Sequence, residues 1–298
     1  MWPFRNIWFG SDALADDEPD KSEHVDTMHV APAHLVTRVA SALLLIPLAL
    51  AAVWLGGLPF AVLLALGGLA MSVEWSMMIA PRRRERLLFL GLAAVVALGF
   101  VRFAGQAPSI LWIGAVGGLG LVLLLGGLIF RIVRMSWFGV ALLYCWIPVY
   151  ALMWLRAAED GRWMVAWLLL VVWGTDIGGY FVGRAVGGAK LAPRISPNKT
   201  WAGLGGGMAL AALAGAVGAW WFQFDGLAPL AFAAAGLAIV GQIGDIAESA
   251  VKRHFGVKDS SHLIPGHGGI LDRVDGLVFA APVMAIAVAI LESVKGAA

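Results

Sequence analysis

The chain has 298 residues, 60% of them hydrophobic and only 13% charged, with a formal net charge of +2. Soluble domains carry roughly 25% charged residues, and a mean hydropathy of +0.84 excludes that class in favour of an integral membrane protein. Cys145 is the only cysteine, so an intramolecular disulfide is excluded, and its apolar surroundings mark it as a packing residue.

Residues 1–36 are polar and mixed in charge (Asp16, Asp17, Glu18, Asp20, Lys21, Glu23). They lack the apolar stretch and small-residue cleavage site of a signal peptide, and predict a cytoplasmic tail. Apolar runs follow at 38–56, 58–80, 87–104, 108–130, 136–155, 163–183, 203–222, 228–251 and 274–293. Each is long enough for a helix to cross ~30 Å of hydrocarbon. The fold expected is all-α and polytopic, with about nine transmembrane helices. With the N-terminus in the cytoplasm and alternating spans, only Arg102, Arg156, Arg162 and Lys295 of the 21 Lys and Arg fall outside. That bias is the one basic residues impose on topology. Residues 37–160 then form an N-terminal helical region. Residues 161–298 form a C-terminal catalytic region with two long polar cytoplasmic loops, 184–202 and 252–273.

Candidate chemistry gathers at those loops. Asp176 lies inside the apolar run that precedes Arg184, and an intramembrane carboxylate is a functional candidate by default. It shares a helical stripe with Gly179, Tyr180 and Gly183; an ion pair made for packing is the plainer reading. Ser196, Lys199 and Thr200 lie just before the next span, where amides at a helix N-terminus plus a lysine suit an anion. A basic loop touching lipid headgroups accounts for the lysines alone. Glu74, next to Trp75, is a further buried carboxylate, read either as a packing ion pair or as a neighbour of the site.

The densest signal is Gly244-Asp245-Ile246-Ala247-Glu248-Ser249-Ala250-Val251-Lys252-Arg253. On a helix Asp245, Glu248 or Ser249, and Lys252 share one face. A Glu248–Lys252 pair would explain Glu248 but leaves Asp245 one turn deeper without its own partner. Lys258, Asp259, Ser260, Ser261, His267, Gly268 and Gly269 follow, a set of lysine, hydroxyls and exposed amides suited to phosphate. Asp272 and Asp275, at i and i+3, flank Arg273 where the last run opens. With Asp245 they supply three hard oxygen ligands, a set that suits Mg²⁺. His254, His262 and His267 lack the cysteine partners or spacing of a zinc site. Gly-rich runs such as Gly203 to Gly207 lack phosphate-loop context and read as helix-packing surfaces.

Ser249 to Arg253, Lys258-Asp259 and His267-Gly268-Gly269-Ile270-Leu271-Asp272-Arg273-Val274-Asp275 together resemble the signature of the phosphatidate cytidylyltransferase family. Asp176, Tyr180, Gly183 and Ser196-Pro197-Asn198-Lys199-Thr200-Trp201 resemble its second characteristic region. Ala202 departs from the acidic or amide residue common there. The resemblance is tight over about 170–280. It implies a multi-span enzyme of the bacterial inner membrane, with its site facing the cytoplasm. It further implies one or two cations, Mg²⁺ among them, CTP and membrane phosphatidic acid as partners with no nucleic acid, and a homodimer. On that basis Asp245, Asp272 and Asp275 are expected to bind metal. Lys252, Arg253, Lys258 and Arg273 are expected to neutralise phosphates, and Ser196, Lys199 and Thr200 to hold the other phosphate group. Asp176, Glu248, Ser249, Asp259, His267, Gly268 and Gly269 complete the expected substrate contacts. A CTP-dependent lipid kinase and a secondary transporter are the rival readings. The Ser-Lys-Arg…His-Gly-Gly…Asp-Arg-x-Asp pattern disfavours the first, and the clustering of polar residues at span ends disfavours the second.

Overall fold

A computed structural model describes residue 43 and residues 46–80, 82–261 and 268–297. Nine helices run through them: α1 (Ile46–Leu55), α2 (Gly57–Ile79), α3 (Arg83–Val101), α4 (Ile110–Ile129), α5 (Val133–Ala157), α6 (Gly161–Val186), α7 (Trp201–Trp221), α8 (Leu227–His254) and α9 (Leu271–Ala297). Seven of these, α2 and α4 to α9, are long and apolar enough to cross a membrane. The chain is therefore an all-α, polytopic membrane protein. α3 opens with Arg83, Arg84, Glu85 and Arg86, which keeps its first turn polar. The start of the first expected span and the tail at 1–36 lie outside the described residues.

The helices are apolar on most faces, so small residues rather than an amphipathic stripe decide which of them meet. α6 and α7 cross so closely that a Cβ on Gly178 would sit 2.4 Å from the Gly206 carbonyl oxygen. Buried Trp167 then donates its indole N–H to the Gly215 carbonyl at 2.8 Å, a bond that hydrocarbon leaves without competition from water. α8 and α9 cross at Gly244, where a Cβ would meet the Asp275 carbonyl oxygen at 2.6 Å. Trp75, Trp146 and Phe100 fill the centre of the N-terminal half, with Phe100 and Trp146 stacked 5.7 Å apart. α9 joins both apolar clusters: Leu271 and Val278 pack into the N-terminal one, Ala280, Ala281 and Met284 into the C-terminal one.

The expected loop 184–202 folds in part as an antiparallel ribbon, β1 (Lys190–Ala192) with β2 (Ser196–Thr200). Pro193 and Arg194 make the turn, closed by the Ile195 N–H on the Ala192 carbonyl at 3.1 Å. Pro197 cannot donate to a ladder, which a two-stranded ribbon tolerates because one side of each strand is unpaired. Strands of three and five residues are too short for alternation to announce them.

Candidate active site

The α8–α9 crossing decides which side chains meet. Asp245 and Glu248 leave α8 one turn apart, and the glycine contact at Gly244 draws Asp275 of α9 in beside them. Asp245, Glu248 and Asp275 each place a carboxylate oxygen within 4.8 Å of the others. Glu248 is 2% exposed. Its Oε2 pairs with Lys252 Nζ at 2.9 Å, while its Oε1 has no hydrogen-bond partner among the described residues. Lys252 also donates to Asp272 Oδ1 at 2.5 Å and so bridges the two helices.

Asp272 is saturated by its surroundings. Its Oδ2 accepts from the Gly269 N–H at 2.9 Å, the Ser260 N–H at 3.2 Å and the Ser260 hydroxyl at 3.0 Å. From the first turn of α9 it reaches back to the residues before the helix and holds Lys252 in place. Of the three aspartates expected to bind metal, the structure puts Asp245 and Asp275 together with Glu248, and sets Asp272 behind Lys252. Among the described residues, Asp275 accepts at Oδ1 from the N–H of Gly276, at 2.8 Å.

The β-ribbon completes the basin. Lys199 on β2 forms an ion pair with Asp245, so the two polar clusters found along the sequence are one site. Thr200 turns inward and caps α7, its Oγ1 accepting from the Gly203 N–H at 3.0 Å. Ser196 stands at the turn end of β2, paired in register with Ala192. Arg253 donates through Nε to the Ile195 carbonyl at 3.4 Å and ties the end of α8 to the ribbon. Ser249 Oγ approaches Asp245 Oδ1 at 3.5 Å. Lys258 and Asp259 are exposed just beyond α8. Gly268 has a positive φ of 82° next to Asp272. His267 and His262 lie outside the described residues.

Asp176 on α6 is within electrostatic reach of Asp245, Lys199 and Arg273. It also opens onto a cavity of about 670 Å³ lined by α1, α2, α5, α6 and α9. Among the described residues the lining carries no charge apart from Asp176 and Arg273; Leu64, Met71, Leu169 and Leu277 are typical of it. This cavity was not foreseeable from spacing, because its lining comes from five separate apolar runs.

Glu74 takes a third course between the two expected for it. Its partners are four neutral donors: the Ser261 hydroxyl at 2.7 Å and the Ile270 N–H at 2.8 Å on Oε1, the Leu271 N–H at 2.8 Å and the Ser260 hydroxyl at 3.0 Å on Oε2. The two serines read along the sequence as phosphate ligands therefore face a carboxylate.

The basin suits a divalent cation. Asp245, Glu248, Asp272 and Asp275 against Lys199 and Lys252 leave a formal charge of −2 among the linked side chains. A buried carboxylate oxygen without a donor is costly unless a cation meets it. All the available ligands are hard oxygens.

Residues 36–291 match the model of the Cytidylyltransferase family. A phosphatidate cytidylyltransferase of Brucella suis is 41% identical over 261 residues, 84% of this chain and 92% of that protein. Another, of Pseudomonas aeruginosa, is 37% identical over 201 residues, 67% of this chain and 65% of that protein. A third, of Bacillus subtilis, is 42% identical over 129 residues, 42% of this chain and 46% of that protein.

Proposed function

We infer the reaction from one premise: the chain belongs to the Cytidylyltransferase family. It is a nucleotidyltransferase that joins CTP to phosphatidic acid, giving CDP-diacylglycerol and pyrophosphate in phospholipid synthesis. One observation carries the placement of that reaction. The charged basin of α8, α9 and the β-ribbon lies beside an apolar cavity whose charged groups among the described residues, Asp176 and Arg273, are on the basin's side of it. A water-soluble triphosphate and a two-chain lipid need such a pair of neighbouring environments.

In this reading the acyl chains of phosphatidic acid occupy the cavity and its phosphate meets Arg273. CTP enters the basin from the cytoplasm, with Lys199, Lys252 and Arg253 facing its phosphates. A phosphate oxygen of the lipid attacks the α-phosphorus of CTP in line. The new P–O bond forms as the bond to the β-phosphate oxygen breaks, and pyrophosphate leaves with that electron pair. The nucleophile is already anionic near neutral pH, so no side chain need remove a proton. Catalysis rests on positioning and charge neutralisation. Asp245, Glu248 and Asp275 would hold Mg²⁺, which when bound neutralises charge on the triphosphate. Lys252 is kept in register by Asp272, and Asp176 orients Lys199 and Arg273. Residues 161–298 supply the charged groups of the catalytic region, and α1, α2 and α5 complete the lining of the lipid cavity. The basic bias of the inner loops supports a site on the cytoplasmic face of the bacterial inner membrane.

The test supplies CTP and phosphatidic acid to the purified protein in detergent with Mg²⁺. Label in the α-phosphate should enter lipid with release of pyrophosphate. Entry of γ-label alone would replace this reading with a lipid kinase.

A further inference from the structure

Glu74 belongs to α2, away from the basin in sequence, and is fully buried. It nevertheless touches both stems of the segment that leads from α8 into α9. Ser260 and Ser261 precede residues 262–267, Ile270 and Leu271 follow them, and all four stand within hydrogen-bond distance of this one carboxylate. The fit leaves little slack. A Cβ on Gly269 would lie 1.8 Å from Ser260 Oγ and 2.7 Å from Glu74 Oε2.

The contact continues into the basin. Ser260 Oγ stands 3.0 Å from Glu74 Oε2 and 3.0 Å from Asp272 Oδ2. Its single hydroxyl proton serves one carboxylate at a time, and Glu74 keeps three other donors when the proton turns to Asp272. Asp272 in turn holds Lys252. We propose that Glu74 is a positioning residue for the transfer reaction, fixing both stems of the 262–267 segment and, through Ser260, the register of Asp272 and Lys252. The proposal rests on the transferase reading above.

Glu74→Gln is a sharp probe because it preserves volume. Each carboxylate oxygen accepts a backbone N–H, from Ile270 on one side and Leu271 on the other. Whichever way the amide flips, its NH₂ faces a donor, and one bond becomes a repulsion.

The experiment uses the full chain in detergent and reads two quantities. The first is steady-state kinetics: kcat of Glu74→Gln is expected to fall about 30-fold, with KM for CTP and phosphatidic acid within about threefold of wild type. The second is amide hydrogen exchange without substrates. Residues 268–275 are expected to exchange at least about tenfold faster, while 241–252 of α8 exchange as in wild type. A kcat within threefold of wild type overturns the proposal. So does faster exchange throughout, with activity lost only in proportion to folded protein, which would make Glu74 a general stability residue. If Glu74→Gln does not insert, Ser261→Ala takes its place. It removes one donor and should lower kcat about threefold to tenfold with the same local exchange signature; unchanged kcat and exchange overturn the proposal. Wild type runs in parallel. Its failure to transfer the cytidylyl group would sink the transferase reading, while the exchange data would still decide whether Glu74 holds Ser260 and Ser261 against the start of α9.

Discussion

Two glutamates, Glu74 on α2 and Glu248 on α8, are almost completely buried, and they are handled in opposite ways. Glu74 meets four neutral donors, two of them backbone amides at the start of α9. Glu248 meets one lysine on one oxygen, no hydrogen-bond donor on the other among the described residues, and two further carboxylates within 4.8 Å. Burial alone does not separate structure from chemistry. The number of donors does: a saturated carboxylate organises its neighbours, and a deficient one awaits a ligand.

Removal of the deficient cluster should give the largest effect. Asp275→Ala is expected to lower cytidylyl transfer on the order of 10³-fold, because it removes one of the three carboxylates proposed to hold the divalent cation. The α-labelled CTP assay measures it, with gel filtration confirming an intact fold. Glu248→Gln should follow, with a loss of about 10²-fold. It is the more telling of the two for stability. Neutralising an under-satisfied buried charge should leave the melting temperature in detergent unchanged or raise it, whereas Glu74→Gln should lower it by a few degrees, the cost of about 1–3 kcal/mol for an unmade buried hydrogen bond. A larger drop for Glu248→Gln than for Glu74→Gln would break the comparison.

The sequence made the membrane class, the positions of seven of the nine expected spans and the charged face of α8 readable, since hydropathy and helical spacing report them directly. Asp245, Lys252 and Asp275 were found because charges at the end of an apolar run are conspicuous. What spacing could not convey was which carboxylates meet. Asp272 and Asp275 look alike along the chain. The Gly244 crossing gathers Asp275 with Asp245 and Glu248, while Asp272 accepts from Gly269, Ser260 and Lys252. Glu74 was visible as a buried acid, but its partners lie 186 to 197 residues away and no local pattern announces them. The same holds for Lys199, which joins Asp245 only once the β-ribbon folds back on α8.

The apolar cavity extends the contrast between the two regions, because it should affect one substrate and not the other. Leu277→Trp would fill part of its 670 Å³ from α9. KM for phosphatidic acid should rise about tenfold, equivalent to about 1.4 kcal/mol, with KM for CTP unchanged. Steady-state titration of each substrate at saturating levels of the other makes the measurement. An equal rise for CTP would mean that the cavity is not the lipid's.

The smallest effect is expected at Lys258, which shares the C-terminal polar loop with the basin yet differs from Lys199 and Lys252 in its setting. Those two are held against Asp245, Glu248 and Asp272 with most of their side chains out of solvent, whereas Lys258 is exposed. A solvated ammonium on a flexible stem contributes about 1 kcal/mol at most to a charge interaction, and added salt screens that contribution. Lys258→Ala should therefore lower kcat/KM for CTP by less than about fivefold, and the loss should shrink further as ionic strength is raised. Lys252→Ala has the opposite signature, a large and salt-insensitive loss, because it leaves Glu248 and Asp272 buried without their shared cation. A salt-insensitive loss at Lys258 would instead mean that CTP binding draws this residue into the basin.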